Sequence, residues 1–156
     1  MPEQQIEQQK YSPEARARAS ALGSLAMREH SALELRQKLL RKNHPSDLVD
    51  DLIICLQQEN LLSDRRFAES YWRLRADKGY GPMRIGKELQ IKGVPSRIID
   101  LARLETEIDF FAVVHAVYQK KYKAAPWSDY KEKAKRQAFL YRRGFDHEYI
   151  NAVIET

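Results

Sequence analysis

LLRKNHPSDLV, residues 39–49, returns fifty residues later as LQIKGVPSRII (89–99) and fifty-one residues after that as LYRRGFDHEYI (140–150). Leucine opens each copy, and Lys42, Lys92 and Arg143 hold the same place in it. Asn43, Gly93 and Gly144 follow, then Pro45, Pro95 and Asp146. Asn and Gly tolerate the left-handed backbone that ends a helix, while Pro and Asp suit the start of the next one. Recurrence at a fixed period means one supersecondary unit repeated in tandem, which predicts a helical array that presents a long surface to a large partner.

Working outward, each copy predicts three helices. Ser12-Pro13 opens the first, and Ala15 to Met27 favour helix. Ser31 and Glu34 have capping-box spacing ahead of Leu35 and Leu39, and Pro45-Ser46 restarts a helix through about Gln58. In the second copy Ser63 or Asp64 caps a helix with Phe67, Tyr71 and Leu74 on one face. Gly81-Pro82 opens the next, with Ile85 and Leu89 inward, and Pro95-Ser96 a third through about Leu104. Gly86 inside a helix is costly and predicts a close approach by a neighbouring helix. The third copy predicts a helix over 107–122 with Phe110, Phe111, Val114, Val117 and Tyr118. It continues with a connector through Trp127, a helix over 129–143, and a short last helix capped by Asp146. No stretch alternates with period two for long enough to form a strand.

The fold class expected is therefore all-α: three tandem three-helix, helix-turn-helix-like repeats stacked into an elongated, curved array. The expected division is a flexible tail over 1–12 and repeats over 13–60, 61–104 and 105–156. Each repeat is too small to bury much apolar surface alone, so stacking supplies much of the stability.

Lys plus Arg is 27 against 22 for Asp plus Glu, a formal net charge of +5. The excess is local: residues 61–104 carry ten basic and five acidic groups, while the flanking thirds are close to neutral. A basic middle suits a polyanionic or acidic partner. Within it Arg73, Lys78, Arg84, Lys87, Lys92 and Arg97 are the candidate contact residues. Lys42, Lys92 and Arg143 lie in the last turn of their helices, where attraction to the helix dipole suffices to explain them. Arg73, Arg84 and Lys87 have no such local purpose. Tyr80 and Trp127 lie in connectors, where a large ring is a candidate for contact and equally for packing under the loop.

Catalytic chemistry finds little footing. His30, His44, His115 and His147 are scattered, without metal-ligand spacing. His30 and His44 read as exposed turn residues and His115 as lying on a polar helix side. Gly79, Gly81 and Gly86 do not make a phosphate-binding loop, and no Ser or Cys can be assigned a base. The one cysteine, Cys55, excludes an internal disulfide and reads as a buried thiol among Leu52, Ile53, Ile54 and Leu56. The N-terminus lacks the apolar core of a signal peptide, and no run is long enough to span a membrane. A cytoplasmic, monomeric, non-enzymatic protein without metal or cofactor is expected.

Two segments carry a resemblance to a known family. Residues 61–94 contain Leu62, Asp64, Phe67-Ala68, Arg75, Gly79-Tyr80-Gly81-Pro82, Ile85, Glu88-Leu89 and Lys92-Gly93. This pattern resembles the centre of the RecX family, regulators of the RecA recombinase. Phe139-Leu-Tyr-Arg142-Arg143-Gly144-Phe145, with Ile150 beyond it, is similar to the family's C-terminal signature. Arg28 to Ser31, Glu34-Leu35 and Lys38-Leu39 are similar to its opening motif. One departure is Asn43, where Gly is usual.

The resemblance implies binding in the groove of the RecA–single-stranded DNA filament. It also implies inhibition of ATP hydrolysis, strand exchange and filament extension, in DNA repair, homologous recombination and the SOS response. Direct contact with single- or double-stranded DNA is a further implied interaction, and Arg142 joins the candidate contacts through the C-terminal signature. The alternative is a helix-turn-helix protein acting on DNA itself, with Ser96–Leu104 as reader. That helix offers only Arg97 and Arg103 as long basic side chains.

Overall fold

A computed structural model of the protein describes residues 11–155; most of the predicted N-terminal tail lies outside them. Among the described residues there are nine α-helices and no strands. They are α1 (Pro13–Met27), α2 (Ala32–Arg41), α3 (Ser46–Gln58), α4 (Asp64–Asp77), α5 (Pro82–Ile91), α6 (Ser96–Thr106), α7 (Phe110–Tyr122), α8 (Tyr130–Arg142) and α9 (His147–Ile154).

The three recurrent breaks take the backbone their residues predict. Asn43, Gly93 and Gly144 all have positive φ, at 66°, 81° and 103°. Two residues later Pro45, Pro95 and Asp146 are extended, which turns the chain into the following helix. The amides of His44 and Phe145 bond back to the carbonyls of Leu39 and Leu140, so two of the breaks close with the same hydrogen bond.

The helices gather into two compact units. Among the described residues, the first comprises 11–67 together with Lys92–Val94. Its α1 is held by small residues, with Ala17 and Ala21 fully buried against Leu35, Leu39, Val49, Leu52 and Leu56. Ser12 caps α1 by accepting from the Ala15 amide, and Ser31 and Glu34 form the capping box of α2. Ser31 also donates to the Lys92 carbonyl at 2.7 Å, and Asp64 accepts from the Ala32 amide at 2.8 Å. A Cβ on Gly93 would stand 2.7 Å from Leu33, so this position needs glycine for space as well as for its backbone.

Two expectations in this unit are corrected. Cys55 is exposed, because the buried stripe of α3 runs through Val49, Leu52, Ile53 and Leu56 and passes it by. His30 is buried, at 1 % exposure, because Nδ1 bonds the Arg28 carbonyl at 3.0 Å and draws the ring under the α1–α2 turn. Burial pushes its pKa below the ordinary histidine value.

Among the described residues, the second unit comprises Ala68–Ile91 and 95–155. Its centre is Trp72, 2 % exposed, which donates Nε1–H to the Ile99 carbonyl at 3.1 Å and meets Phe110 edge-on. On α4 Phe67, Ala68, Trp72 and Ala76 are buried, whereas Leu74, expected on the same face as Phe67, is 53 % exposed. Phe111 likewise leaves the core, lying against Tyr149 at the surface while Phe110, Val114, Val117 and Tyr118 point inward.

Three further details differ from expectation. A Cβ on Gly86 would meet only the Trp72 ring, at an ordinary 3.9 Å, so no tight helix approach requires that glycine. α7 begins at Phe110, because Glu107 takes a left-handed φ of 50° as the cap of α6 and Asp109 caps α7 by accepting from Phe111 and Ala112. Asp146 stands at the N-cap of α9 without a side-chain capping bond, and its Oδ1 is buried with no partner.

A charged residue holds the α7–α8 connector. Arg136 is 2 % exposed and donates to the Tyr118 hydroxyl, the Ala125 carbonyl and Glu132, each at 2.7 Å. Glu132 is in turn pulled down to about 2 by hydrogen bonds from the Ser128 hydroxyl and amide and from Arg136.

Candidate functional site

The basic residues of the middle repeat differ in how far other groups engage them. Arg73 on α4, Lys78 just beyond it, Lys87 on α5 and Arg97 on α6 are exposed, and no ion pair holds them among the described residues. Lys92 belongs to the first compact unit, where its Nζ lies 3.5 Å from Glu34.

Arg84 is drawn into a cluster around Tyr80. The guanidinium carbons of Arg75, Arg84 and Arg143 lie 4.0, 4.4 and 4.5 Å from the centre of the Tyr80 ring. Three cations around one ring repel one another, and Glu88 offsets part of that. It accepts from Arg75 at 3.2 Å and from the Tyr71 hydroxyl at 3.0 Å, with Arg84 at 3.8 Å. Each cation–π contact contributes ~0.5–1 kcal/mol at exposed sites and more where water is excluded. Tyr80 thus serves packing, and its ring is a hub for arginines. Arg142 enters through its backbone, its carbonyl accepting from Arg84 at 3.3 Å, while its side chain is exposed.

Two glycine turns meet directly beside this cluster. The Gly81 amide donates to the Arg143 carbonyl at 2.8 Å and the Met83 amide to the Gly144 carbonyl at 3.0 Å. A Cβ on Gly81 would lie 2.4 Å from the Gly144 carbonyl, and one on Gly144 would lie 2.4 Å from the Arg84 Cβ. Arg143 also donates to the Lys78 carbonyl at 3.3 Å. The Gly79-Tyr80-Gly81-Pro82 turn is therefore a docking joint against the Arg143-Gly144-Phe145 turn. Nothing in the sequence joins the two segments or marks Arg75 and Arg143 as partners of Tyr80, because no periodicity signal links residues sixty-odd positions apart.

Arg103 is also engaged, donating to the Tyr149 hydroxyl at 3.0 Å and lying 5.3 Å from the Phe110 ring centre. Arg97 remains the exposed basic side chain of α6. Trp127 is half-buried, with the Lys133 ammonium 5.1 Å from its ring centre.

The described residues contain no cluster of three or more His, Cys, Asp or Glu able to hold a metal ion. They also contain no helix long and apolar enough to cross a membrane.

Comparison with known proteins places this arrangement. Residues 17–54, 63–102 and 107–154 match the models of the first, second and third three-helix domains of RecX. The regulatory protein RecX of Halorhodospira halophila is 38 % identical over 135 residues, covering 86 % of this chain and 84 % of that one. The RecX of Pseudomonas entomophila is 36 % identical over 137 residues, 88 % of each. Crystal structures share the fold. RecX from Lactobacillus salivarius superposes with a TM-score of 0.72 at 21 % identity, covering 92 % of this chain and 95 % of that one. A second, described as regulatory protein RecX, gives 0.78 at 22 % identity over 99 % of this chain and 78 % of its own. With three successive domain models matched in order and relatives more than a third identical along most of its length, the chain belongs to the RecX family of regulatory proteins.

Proposed function

We propose that the protein is a negative regulator of RecA. On this reading it binds in the groove of the RecA–single-stranded DNA filament and inhibits ATP hydrolysis, strand exchange and filament extension. It acts as a cytoplasmic monomer by contact alone, without chemistry of its own. The repeats divide as 13–60, 61–104 and 105–156, and the middle one supplies the principal contacts.

The observation that carries this reading is the set of exposed, unpaired cations Arg73, Lys78, Lys87 and Arg97 on the middle repeat of a RecX-family chain. A groove lined by DNA phosphates and acidic protein surface would pair with them. Exposed charges of this kind raise the rate of encounter and set orientation. Contacts repeated over several filament subunits would sum to stable occupancy even where each is weak. Arg84, Tyr80 and Arg142 contribute at one remove, by fixing the turn between α4 and α5, and Lys92 contributes from its place beside Glu34.

The direct reading of duplex DNA by α6 is the weaker alternative, since Arg103 is occupied by Tyr149 and Arg97 alone is left exposed.

Reversing Arg73, Lys87 and Arg97 to Glu tests the proposal, because none of them supports the core. Anisotropy of RecA assembled on labelled single-stranded DNA should show affinity weakened by about tenfold or more, with helicity unchanged. Unchanged affinity would move the contact surface off the middle repeat.

A further inference from the structure

Below the Tyr80 cluster, the end of α4, the outer side of α7 and the end of α8 enclose an open cavity of about 650 Å³. Its size falls in the range of about 300–1,000 Å³ typical of ligand clefts. The floor is aliphatic: Ala76, Ala112, Val113, Ala116 and Val117. The rim is cationic, with Lys78, Lys120, Lys121 and Arg143 against the single carboxylate of Asp77. No ion pair holds Lys78, Lys120 or Lys121 among the described residues. Attraction to helix C-termini accounts for cations at the ends of α4 and α7. It does not account for the exposed Ala112 and Ala116 and half-buried Val113 between them.

The two halves of the lining select one kind of occupant. The rim asks for carboxylates or phosphates, and the floor asks for apolar atoms. A nucleic-acid strand would need an open ring on which to stack its bases. Phe139 is the aromatic residue of the lining, and it is already covered: the Lys121 ammonium lies 3.6 Å from its ring centre and Tyr122 meets it edge-on. Aliphatic side chains fit the remaining surface, which points to a polypeptide.

We propose that this cavity docks an acidic peptide segment of a protein partner. The segment would seat an aliphatic side chain on the Ala112–Ala116 floor and pair its carboxylates with Lys78, Lys120 and Lys121. The site shares Lys78 with the proposed filament contacts, but its aliphatic floor and its cations Lys120 and Lys121 lie outside that set.

The test uses the full chain and three labelled probes in fluorescence anisotropy. The first is a short Asp/Glu-rich peptide with two adjacent leucines, the second is the same peptide with serines for leucines, and the third is an oligothymidylate of equal charge. The first should bind, and the second about tenfold more weakly or worse. Ala116→Glu places a carboxylate on the floor at an exposed helical position that tolerates it. It should weaken the leucine peptide by about tenfold or more, as should Lys120→Gln with Lys121→Gln. Thermal melting verifies that each variant is folded, and amide shifts of Ala112, Ala116 and Lys78 in the unsubstituted chain should follow the first probe. Equal binding of the two peptides, indifference to Ala116→Glu, or tighter binding of the oligothymidylate with shifts at the same amides would each overturn the proposal. The filament reading is tested separately, since Arg73, Lys87 and Arg97, the residues reversed there, do not line this cavity.

Discussion

Tyr80 shows how little a residue's place in a connector says about its use. In the sequence its ring suits contact and packing equally; in the fold it is the hub of Arg75, Arg84 and Arg143. His30 and Arg136 make the same point for buried polar groups, and each carries a prediction. The His30 ring is held neutral by burial, with Nε2 lacking any partner. Its folded pKa lies below that of the unfolded chain, so the unfolded state binds the proton more readily. Stability should be full above pH ~6.5 and fall as the pH drops below it. Urea midpoints measured from pH 7.5 to 5 should show this slope, and His30→Asn should flatten it; an unchanged slope would remove His30 as its source. Arg136→Met strips hydrogen bonds from the Tyr118 hydroxyl and the Ala125 carbonyl. A loss of about 1–3 kcal/mol in urea unfolding is expected, with the α7–α8 connector losing amide-exchange protection first.

At the scale of elements, the helix breaks were the most legible feature, because their backbone chemistry is local. A left-handed residue followed two positions later by an extended one is written in Asn43/Pro45, Gly93/Pro95 and Gly144/Asp146 alike. Which face of a helix turned inward was harder to read. On α4 both Leu74 and Trp72 are apolar, and only the position of Ile99 and Phe110 decides for Trp72. The purpose of the glycines was legible only in part. Gly86 looked like a contact and is not one, while Gly81 looked like turn chemistry and is a backbone-to-backbone joint. Three Gly→Ala variants separate these roles in thermal or urea unfolding. Gly81→Ala should destabilise by more than about 2 kcal/mol, since the joint must open. Gly23→Ala, with nothing within 4 Å of the new Cβ, should stabilise by about 0.5–1 kcal/mol. Gly86→Ala should resemble Gly23→Ala; a loss matching that of Gly81→Ala would restore the close-approach reading.

At the scale of the whole molecule, repeats alike in punctuation are unlike in charge, and the excess lies in residues 61–104. The composition of that candidate surface was legible from sequence, because charge can be counted along a chain. Its partition was not. Arg84 is committed to Tyr80 and Glu88, and Lys92 to Glu34, while Arg73, Lys78, Lys87 and Arg97 stay free of ion pairs. Such sorting depends on contacts between elements far apart in sequence. On the function proposed above, the free set is what meets an acidic, phosphate-bearing filament. The central claim is that this meeting restrains RecA. Its most direct test is ATP hydrolysis by RecA on single-stranded DNA, titrated with this protein. The account predicts a progressive fall in rate up to stoichiometric ratio, and a weaker fall with the Arg73, Lys87 and Arg97 reversals; a rate unmoved at that ratio would contradict it.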